Sequence, residues 1–318
     1  MECNGEGKLI TTLTGANYFM LHARQVELVR AFVAEYTDMG LEQLDGEEAG
    51  ADRMREAVES MPFLAAKKLV VLKSPGANKQ FAEQAEQLLS NVPDSTDVLI
   101  VEPKVDKRTA YYKYLQKHTD LHVFAELEEN GLSRWLVDRA KAQGAALSMG
   151  DARYLVARVG ANQQLLAGEI DKLAIYNPQV SRKTIDLLVE STPQSTIFDL
   201  LDAAFEGRTT RAFALYAEQR QARVEPQQIL AMIAWQLHAL AVVKAAAGRD
   251  PAMIAKEAKL NPYVVRKTVG VAQRLSGPRL KQLIHRAAIL DARLKSEPLN
   301  ADDAIQHYVL AVAGGSDA

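Results

Sequence analysis

The stretch LVVLKSPGANKQFAEQAEQLLSNVPDSTDVLIVE, at residues 69–102, indicates the fold class. It holds two short apolar runs, LVVL at 69–72 and DVLIVE at 97–102, on either side of a helical stretch at about 81–92. Short apolar runs of this length are typical of buried strands, and a long helical crossover is what two parallel strands require. We therefore predict a parallel sheet with helices on its faces.

The same alternation continues on both sides of this stretch. LITTLTG at 9–15 is predicted to form a strand and a turn, and LHVFAEL at 121–127 to form another strand. Helices are predicted at 18–36, 51–61 and 107–118 from their apolar periodicity. The N-terminal part of the chain is therefore predicted to be an α/β domain with a parallel sheet.

The character changes after Asn130 and Gly131, and no further strand is predicted. Helices are predicted at 132–146, 151–160, 163–176 and 181–190, and later helices are predicted to start at Pro226, Pro251, Pro262 and just after Asn300. The predicted domains are an α/β domain at 1–129, a small helical domain at 130–193 and a larger helical domain at 194–318.

Composition is that of a globular cytoplasmic protein. The 318 residues include 38 Lys or Arg and 40 Asp or Glu, 48% are apolar, and the one cysteine, Cys3, can form no internal disulfide. No secretory leader is recognisable at the start of the sequence. The apolar segment at 229–248 is interrupted by Gln236, His238 and Lys244, which favours a buried helix over a membrane span.

Catalytic motifs are missing where this fold would carry them. The turn after the first strand reads TGANYFMLHAR and lacks the Gly-Lys-Ser/Thr of a phosphate loop, and the run Gly5 to Lys8 precedes the strand instead of following it. The strand at 97–102 ends in a single carboxylate, Glu102, followed by Pro103. We predict no catalytic residues, no cofactor and no metal site.

The C-terminal helices carry an excess of positive charge. Residues 244–295 contain twelve Lys or Arg residues and three Asp or Glu residues. This charge is compatible with a solvated face or with contact to a phosphate backbone. The segment at 251–268 also resembles a helix-turn-helix, a pattern that all-α domains share as a packing unit. The candidate DNA-proximal residues are Lys244, Arg266, Lys267 and Arg274.

Six stretches, taken in order, resemble the delta subunit family of the bacterial DNA polymerase III clamp loader. They are LTGANYFMLHARQVELVRAF, SMPFLAAKKLVVL, LLAGEIDKLAIY, STIFDLLDAAFEGRTTRAFALY, IAKEAKLNPYVVRK and AAILDARLKSEPLN. The resemblance implies an AAA+/RecA-like fold whose nucleotide site is lost. It also implies that residues 130–193 form a helical lid and that residues 194–318 form a helical collar, which joins gamma/tau and delta-prime type subunits in a ring. It also implies that the chain holds the sliding clamp and favours its open form, while partner subunits hydrolyse ATP and primed DNA enters the assembly.

The family places an apolar pair at the tip of a helix, where it inserts into the clamp. The matching position here is Pro62 and Phe63, with Phe63 as the main candidate and Met61 and Leu64 as neighbours. Residue type alone favours a different interpretation, since large apolar side chains such as Phe63 and Leu64 are usually buried. Two other functions stay open at this point: an active ring ATPase of the same fold, and a DNA-binding regulator that uses the basic C-terminal helices.

Overall fold

The computed structural model describes residues 10–63, 65–246 and 248–314. It divides into two compact units, Met1–Glu126 and Leu127–Ala318. Cys3, the run from Gly5 to Lys8, and Leu64, a predicted clamp contact, lie outside the described residues. The predicted division of the helical part into a lid and a collar stays a prediction.

The first unit contains a five-stranded sheet. Its strands are β1 (Ile10–Thr14), β2 (Leu41–Asp45), β3 (Lys68–Lys73), β4 (Thr96–Glu102) and β5 (Asp120–Val123), in the order β2-β3-β4-β1-β5. All four strand pairings are parallel. The helices are α1 (Tyr18–Tyr36), α2 (Ala51–Glu59), α3 (Lys79–Ser90) and α4 (Ala110–His118). The predicted α/β sheet is confirmed.

Apolar residues on both faces of the central strands explain this layered packing. Successive side chains of a strand point to opposite faces, so Val70 and Leu72 pack with the cluster that includes α2, α3 and α4. Leu69 and Val71 pack on the other face, with Leu21 of α1. A sheet covered on both faces needs strands that are apolar throughout, which is what the runs at 69–72 and 97–102 provide.

Two details of this unit differ from the sequence prediction. The sequence predicted no strand at residues 41–45, where the structure has strand β2, LEQLD. This strand lies at the edge of the sheet and is only partly buried, so it carries no apolar run. Helix α2 ends at Glu59 instead of residue 61, because Pro62 disfavours helical geometry at Met61, the residue before it. Met61 therefore does not belong to the buried stripe of Met54, Ala57 and Val58.

The second unit begins with four helices and two very short strands. The helices are α5 (Glu129–Ala142), α6 (Met149–Val159), α7 (Gln163–Tyr176) and α8 (Arg182–Leu188). Strands β6 (Ala146–Leu147) and β7 (Gln179–Val180) pair in parallel, although the sequence predicted no strand here. Two residues per strand are too few to produce a recognisable alternation of apolar and polar residues.

Seven further helices complete the described part of this unit. They are α9 (Pro193–Phe205), α10 (Thr209–Gln221), α11 (Pro226–Ala245), α12 (Pro251–Ala258), α13 (Pro262–Arg274), α14 (Gly277–Ser296) and α15 (Ala301–Ala313). Four of them begin where the sequence predicted. Each of these starts follows Glu, Asp or Asn, and three place proline at the first helical position, where its missing N–H costs nothing.

Helix α11 is the central helix of this cluster. It packs against α9, α13, α14 and α15 and buries Ile229, Ile233 and Leu240, among others. Among the described residues it is also the one helix whose length and apolar composition would suffice to cross a membrane, a property that core helices share. Its contacts with five other helices, α12 included, agree with the predicted buried helix.

Candidate functional site

The tip of α2 exposes large apolar side chains. Phe63 is 82% exposed and Met61 is 78% exposed, with the partly buried Pro62 between them. We call residues 61–63 the knuckle. Large apolar residues are usually buried. Two exposed large apolar side chains separated by a single residue are therefore typical of a surface that another molecule covers. The exposure of Phe63 contradicts the interpretation of this residue as part of the core.

A buried lysine holds the base of the knuckle. The Nζ of Lys68, the first residue of β3, donates to the carbonyl oxygen of Ala57 at 2.8 Å and to the Ser60 hydroxyl at 2.7 Å. The same ammonium pairs with Glu42 of β2 at 2.7 Å. A cation at a helix C-terminus satisfies carbonyl groups and opposes the negative end of the helix dipole. Lys68 thus joins the end of α2 to two strands.

Further contacts hold the same helix end. The Ser60 N–H donates to the Glu56 carbonyl at 3.0 Å, and the Thr96 hydroxyl donates to the Ser60 carbonyl at 3.4 Å. Arg53 of α2 pairs with Glu42 as well. The knuckle therefore projects from a helix end that β3 and β4 contact directly, whereas β2 supports it through Lys68 and holds the start of α2 through Arg53. Little conformational freedom is then left to lose on binding.

A groove lies beside the knuckle. The residues that line it include apolar Met39, Met61 and Phe63 and charged Glu42, Arg53 and Lys68. Lys68 and Arg53 both pair with Glu42, and Arg53 also pairs with Glu56, so the two cations are balanced by two carboxylates. The groove is thus electrostatically satisfied from within and presents apolar surface, which suits an apolar segment of a protein better than a charged small molecule.

The turn after β1 is closed by protein groups. Gly15 has φ +125°, and a Cβ added there would lie 2.1 Å from the carbonyl oxygen of Phe124. The Asn17 N–H donates to that same oxygen at 3.0 Å, and the Asn17 side chain accepts from the Met20 N–H at 3.0 Å. A phosphate loop instead aims such amides at the phosphates. These two amides of the turn are satisfied inside the protein.

Glu102, at the carboxyl end of β4, is buried and accepts two hydrogen bonds from the protein. Its Oε2 accepts from the Gly76 N–H at 2.8 Å and from the Tyr111 hydroxyl at 3.2 Å. Burial raises the pKa of this carboxyl, and the two hydrogen bonds offset part of that effect. Within the described ranges, no group of three or more His, Cys, Asp or Glu side chains is placed to hold a metal ion.

Two of the candidate DNA-proximal residues lie on one face of α13. Lys267 pairs with Asp199 of α9 at 3.4 Å, and Arg274 pairs with Glu206, the residue directly after α9, at 3.4 Å. The two basic residues are seven positions apart in the chain, and so are their two acidic partners. The basic side of α13 therefore faces an acidic row formed by Asp199 and Glu206. The Lys267 ammonium also lies 4.7 Å from the centre of the Phe198 ring.

The other two candidates point elsewhere. Arg266 pairs with Glu128 at 2.6 Å, and Lys244 of α11 donates to the carbonyl oxygen of Ala272 at 3.0 Å. The structure therefore places Lys267 and Arg274 on one face of α13, whereas Arg266 and Lys244 do not lie on that face. Each of the four side chains already has an internal partner.

Sequence reasoning missed two residues of the site. Met39 lies in a turn before β2, and no local pattern distinguishes it from a core methionine. Lys68 precedes the apolar run at 69–72 and is buried, although lysine is rarely so. A lysine directly before a buried strand could have suggested a helix-end contact, but its partners lie 8 to 26 residues away, and only the fold brings them together.

Two family models match the chain. One describes the DNA polymerase III delta subunit and matches residues 12–124. The other describes the C-terminal domain of that subunit and matches residues 194–312. Between them they cover the sheet with the knuckle and nearly all of the seven helices from α9 to α15.

Two individual proteins are similar over nearly the whole length. The DNA polymerase III subunit delta of Bacillus subtilis (strain 168) is 23% identical over 309 residues, which cover 92% of this chain and 89% of that protein. The solved structure of the Bacillus subtilis DNA clamp loader delta protein (YqeN) superposes with a TM-score of 0.81 at 21% identity and covers 96% of both chains. This second similarity establishes the fold.

Proposed function

This chain belongs to the delta subunit family of DNA polymerase III, and on that premise we propose that it binds the sliding clamp through the knuckle and favours the clamp's open form. As a clamp-loader subunit it is an accessory component of the polymerase complex. The observation that carries the proposal is the pair of exposed side chains, Met61 and Phe63, on a firmly held helix end.

The energetics of such a contact are those of a small hot spot. Burying one large apolar side chain contributes about 1.5 to 3 kcal/mol, so Met61 and Phe63 together suffice to make a specific contact. Because the network around Lys68 already orders the helix end, little of this free energy is lost to ordering on binding.

Ring opening follows as a shift in populations. A clamp that is closed at rest opens more often when a partner binds the open form more tightly than the closed form, and the difference between the two affinities sets the size of the shift. This step consumes no ATP. We propose that partner subunits of the gamma/tau and delta-prime type hydrolyse ATP, and that this chain has no catalytic activity. The turn at Gly15 supports this assignment of ATP hydrolysis to the partner subunits, because its amides are hydrogen-bonded inside the protein and do not face a phosphate.

The proposal extends to the C-terminal helices. We propose that residues 194–318 form the collar that joins the partner subunits, and that the assembly acts on primed DNA in the cytoplasm. Among the four basic candidates, Arg266 and Arg274 keep about half or more of their side chains exposed, whereas Lys267 is mostly covered. The two arginines are therefore the better placed to reach a phosphate, each by exchanging a carboxylate partner.

The affinity for the sliding clamp of the same organism tests the proposal. Phe63→Ala is expected to raise the dissociation constant by roughly thirtyfold or more, since hot-spot truncations cost about 2 kcal/mol or more. The matched control is Ile175→Ala in α7, because Ile175 is equally exposed at 84% but lies in the second unit. Calorimetric titration of wild type and both variants measures the difference.

Three outcomes decide the matter. Loss of affinity in Phe63→Ala alone, with an unchanged thermal midpoint, supports the proposal. Equal affinity for all three proteins would remove the knuckle from the interface. No binding by the wild-type chain would reject the clamp as its partner.

A further inference from the structure

Met39 lines the same groove as the knuckle but comes from a different part of the chain. It is 65% exposed, and it follows only Phe63 and Met61 among the exposed large apolar residues described in the first unit. All three line one groove. The most exposed apolar surface of this unit is therefore concentrated at one place and supplied by two separate segments.

The backbone that presents Met39 is strained. Thr37, two residues earlier, has φ +77° and ψ +164°, a region that is essentially restricted to glycine and is unfavourable for other residues. A β-branched residue is the least suited to it. Such strain persists only where the surrounding structure holds it, here through the Thr37 N–H bonded to the Val33 carbonyl at 3.0 Å.

A close backbone approach fixes the other side of the same turn. A Cβ added to Gly40 would lie 2.3 Å from the carbonyl oxygen of Lys67 and 3.3 Å from the Cβ of Ala65. Only glycine allows the turn to lie this close to the segment that leads from the knuckle into β3. Met39 therefore lies between the strained Thr37 and the tightly packed Gly40, next to the segment that connects the knuckle to β3.

We propose that Met39 is a second anchor for the sliding clamp, and that the groove between it and the knuckle takes an apolar side chain of the clamp. This inference rests on the proposed function and adds a residue and a partner chemistry to it. The charged residues lining the groove support an uncharged occupant, because Lys68 and Arg53 both pair with Glu42 and Arg53 also pairs with Glu56, so two carboxylates balance the two cations. A charged partner residue would lose its water without gaining a free counter-charge.

The test is calorimetric titration of the full-length chain with the clamp. Met39→Ala is expected to raise the dissociation constant roughly tenfold, and Met39→Leu to stay within about threefold of wild type, since the leucine keeps the apolar volume. Leu187→Ala is the matched control, because Leu187 is 67% exposed on α8 of the second unit. Phe63→Ala is measured in the same series, and a thermal midpoint for each variant verifies its fold.

The outcomes separate this inference from the function it rests on. Weakened binding by both Met39→Ala and Phe63→Ala, with Met39→Leu and Leu187→Ala near wild type, supports the second anchor. If Phe63→Ala weakens binding while Met39→Ala matches Leu187→Ala, the second anchor is overturned and the proposed function stands. If neither variant weakens binding, both are overturned.

Discussion

Lys68 is the residue on which the position of the knuckle depends most. We predict that Lys68→Met, which keeps the length of the side chain, lowers the free energy of unfolding by about 3 kcal/mol. The reason is that the substitution leaves the Ala57 carbonyl and the Ser60 hydroxyl without their donor and removes one partner of Glu42. Urea unfolding measures the change.

Lys73 provides the control for this prediction. It ends the same strand but is exposed, so Lys73→Met is expected to change stability by less than about 0.5 kcal/mol. Similar effects of the two substitutions would show that the ammonium of Lys68 does not stabilise the helix end.

Glu102 makes stability depend on pH. Because burial raises its pKa, the folded chain keeps this proton to higher pH than the unfolded chain does. The folded state binds more protons across that interval, so the contribution of this carboxyl to stability falls as pH rises above its ordinary pKa. Glu102→Gln keeps an acceptor for the Gly76 N–H and the Tyr111 hydroxyl but carries no charge. We predict that this variant is more stable than wild type at neutral pH.

Unfolding at about pH 5 and about pH 8 measures this effect. The advantage of Glu102→Gln should be larger at the higher pH, where the wild-type carboxyl is charged. Glu83→Gln, at an exposed position of α3, should show no such trend. An advantage that shrinks as pH rises would contradict the assigned shift.

At the scale of single residues, the sequence predicts which residue is functional better than it predicts whether that residue is buried or exposed. The position of Phe63 was predicted from a family resemblance, whereas residue type alone places a phenylalanine in the core. Its exposure depends on where α2 ends, which Pro62 determines, and on the Lys68 contacts that join residues far apart in the sequence. The second of these causes cannot be read from a local pattern.

The turn between α1 and β2 is the element in which strain is concentrated. We predict that Thr37→Gly raises the free energy of unfolding by about 1 kcal/mol, because relief of the strained backbone exceeds the extra entropy that glycine gives the unfolded chain. The comparison is Thr210→Gly, an exposed helical position in α10 where glycine should instead be slightly destabilising. A loss of stability in both variants would contradict the assignment of strain to Thr37.

Elements differ in how far the sequence could predict them. Strands β3 and β4 are buried and carry apolar runs, and the helices that begin at Pro226, Pro251 and Pro262 carry proline at the first helical position, so both kinds are visible locally. Strand β2 is an edge strand with a charged, partly buried sequence, and it forms because β3 offers a pairing edge. Edge strands of this kind have no local signature.

On the scale of the whole molecule, charge is distributed differently from what the sequence suggests. Residues 244–295 carry an excess of basic residues, but two of these, Lys267 and Arg274, face the acidic row formed by Asp199 and Glu206. Asp199 and Glu206 lie more than sixty residues earlier in the chain, and only the packing of α9 and α13 brings the two rows together. A count of charges along the sequence therefore overestimates the free positive surface.

Photo-crosslinking tests the central claim, that the knuckle contacts the sliding clamp, most directly. A photoreactive phenylalanine analogue is placed at position 63 or, in the matched control, at position 175 of the second unit, and each full-length chain is irradiated with the clamp. We predict a crosslink to the clamp from position 63 and none from position 175. A crosslink from position 175 alone, or from neither position while the chain and the clamp still associate, would contradict the claim.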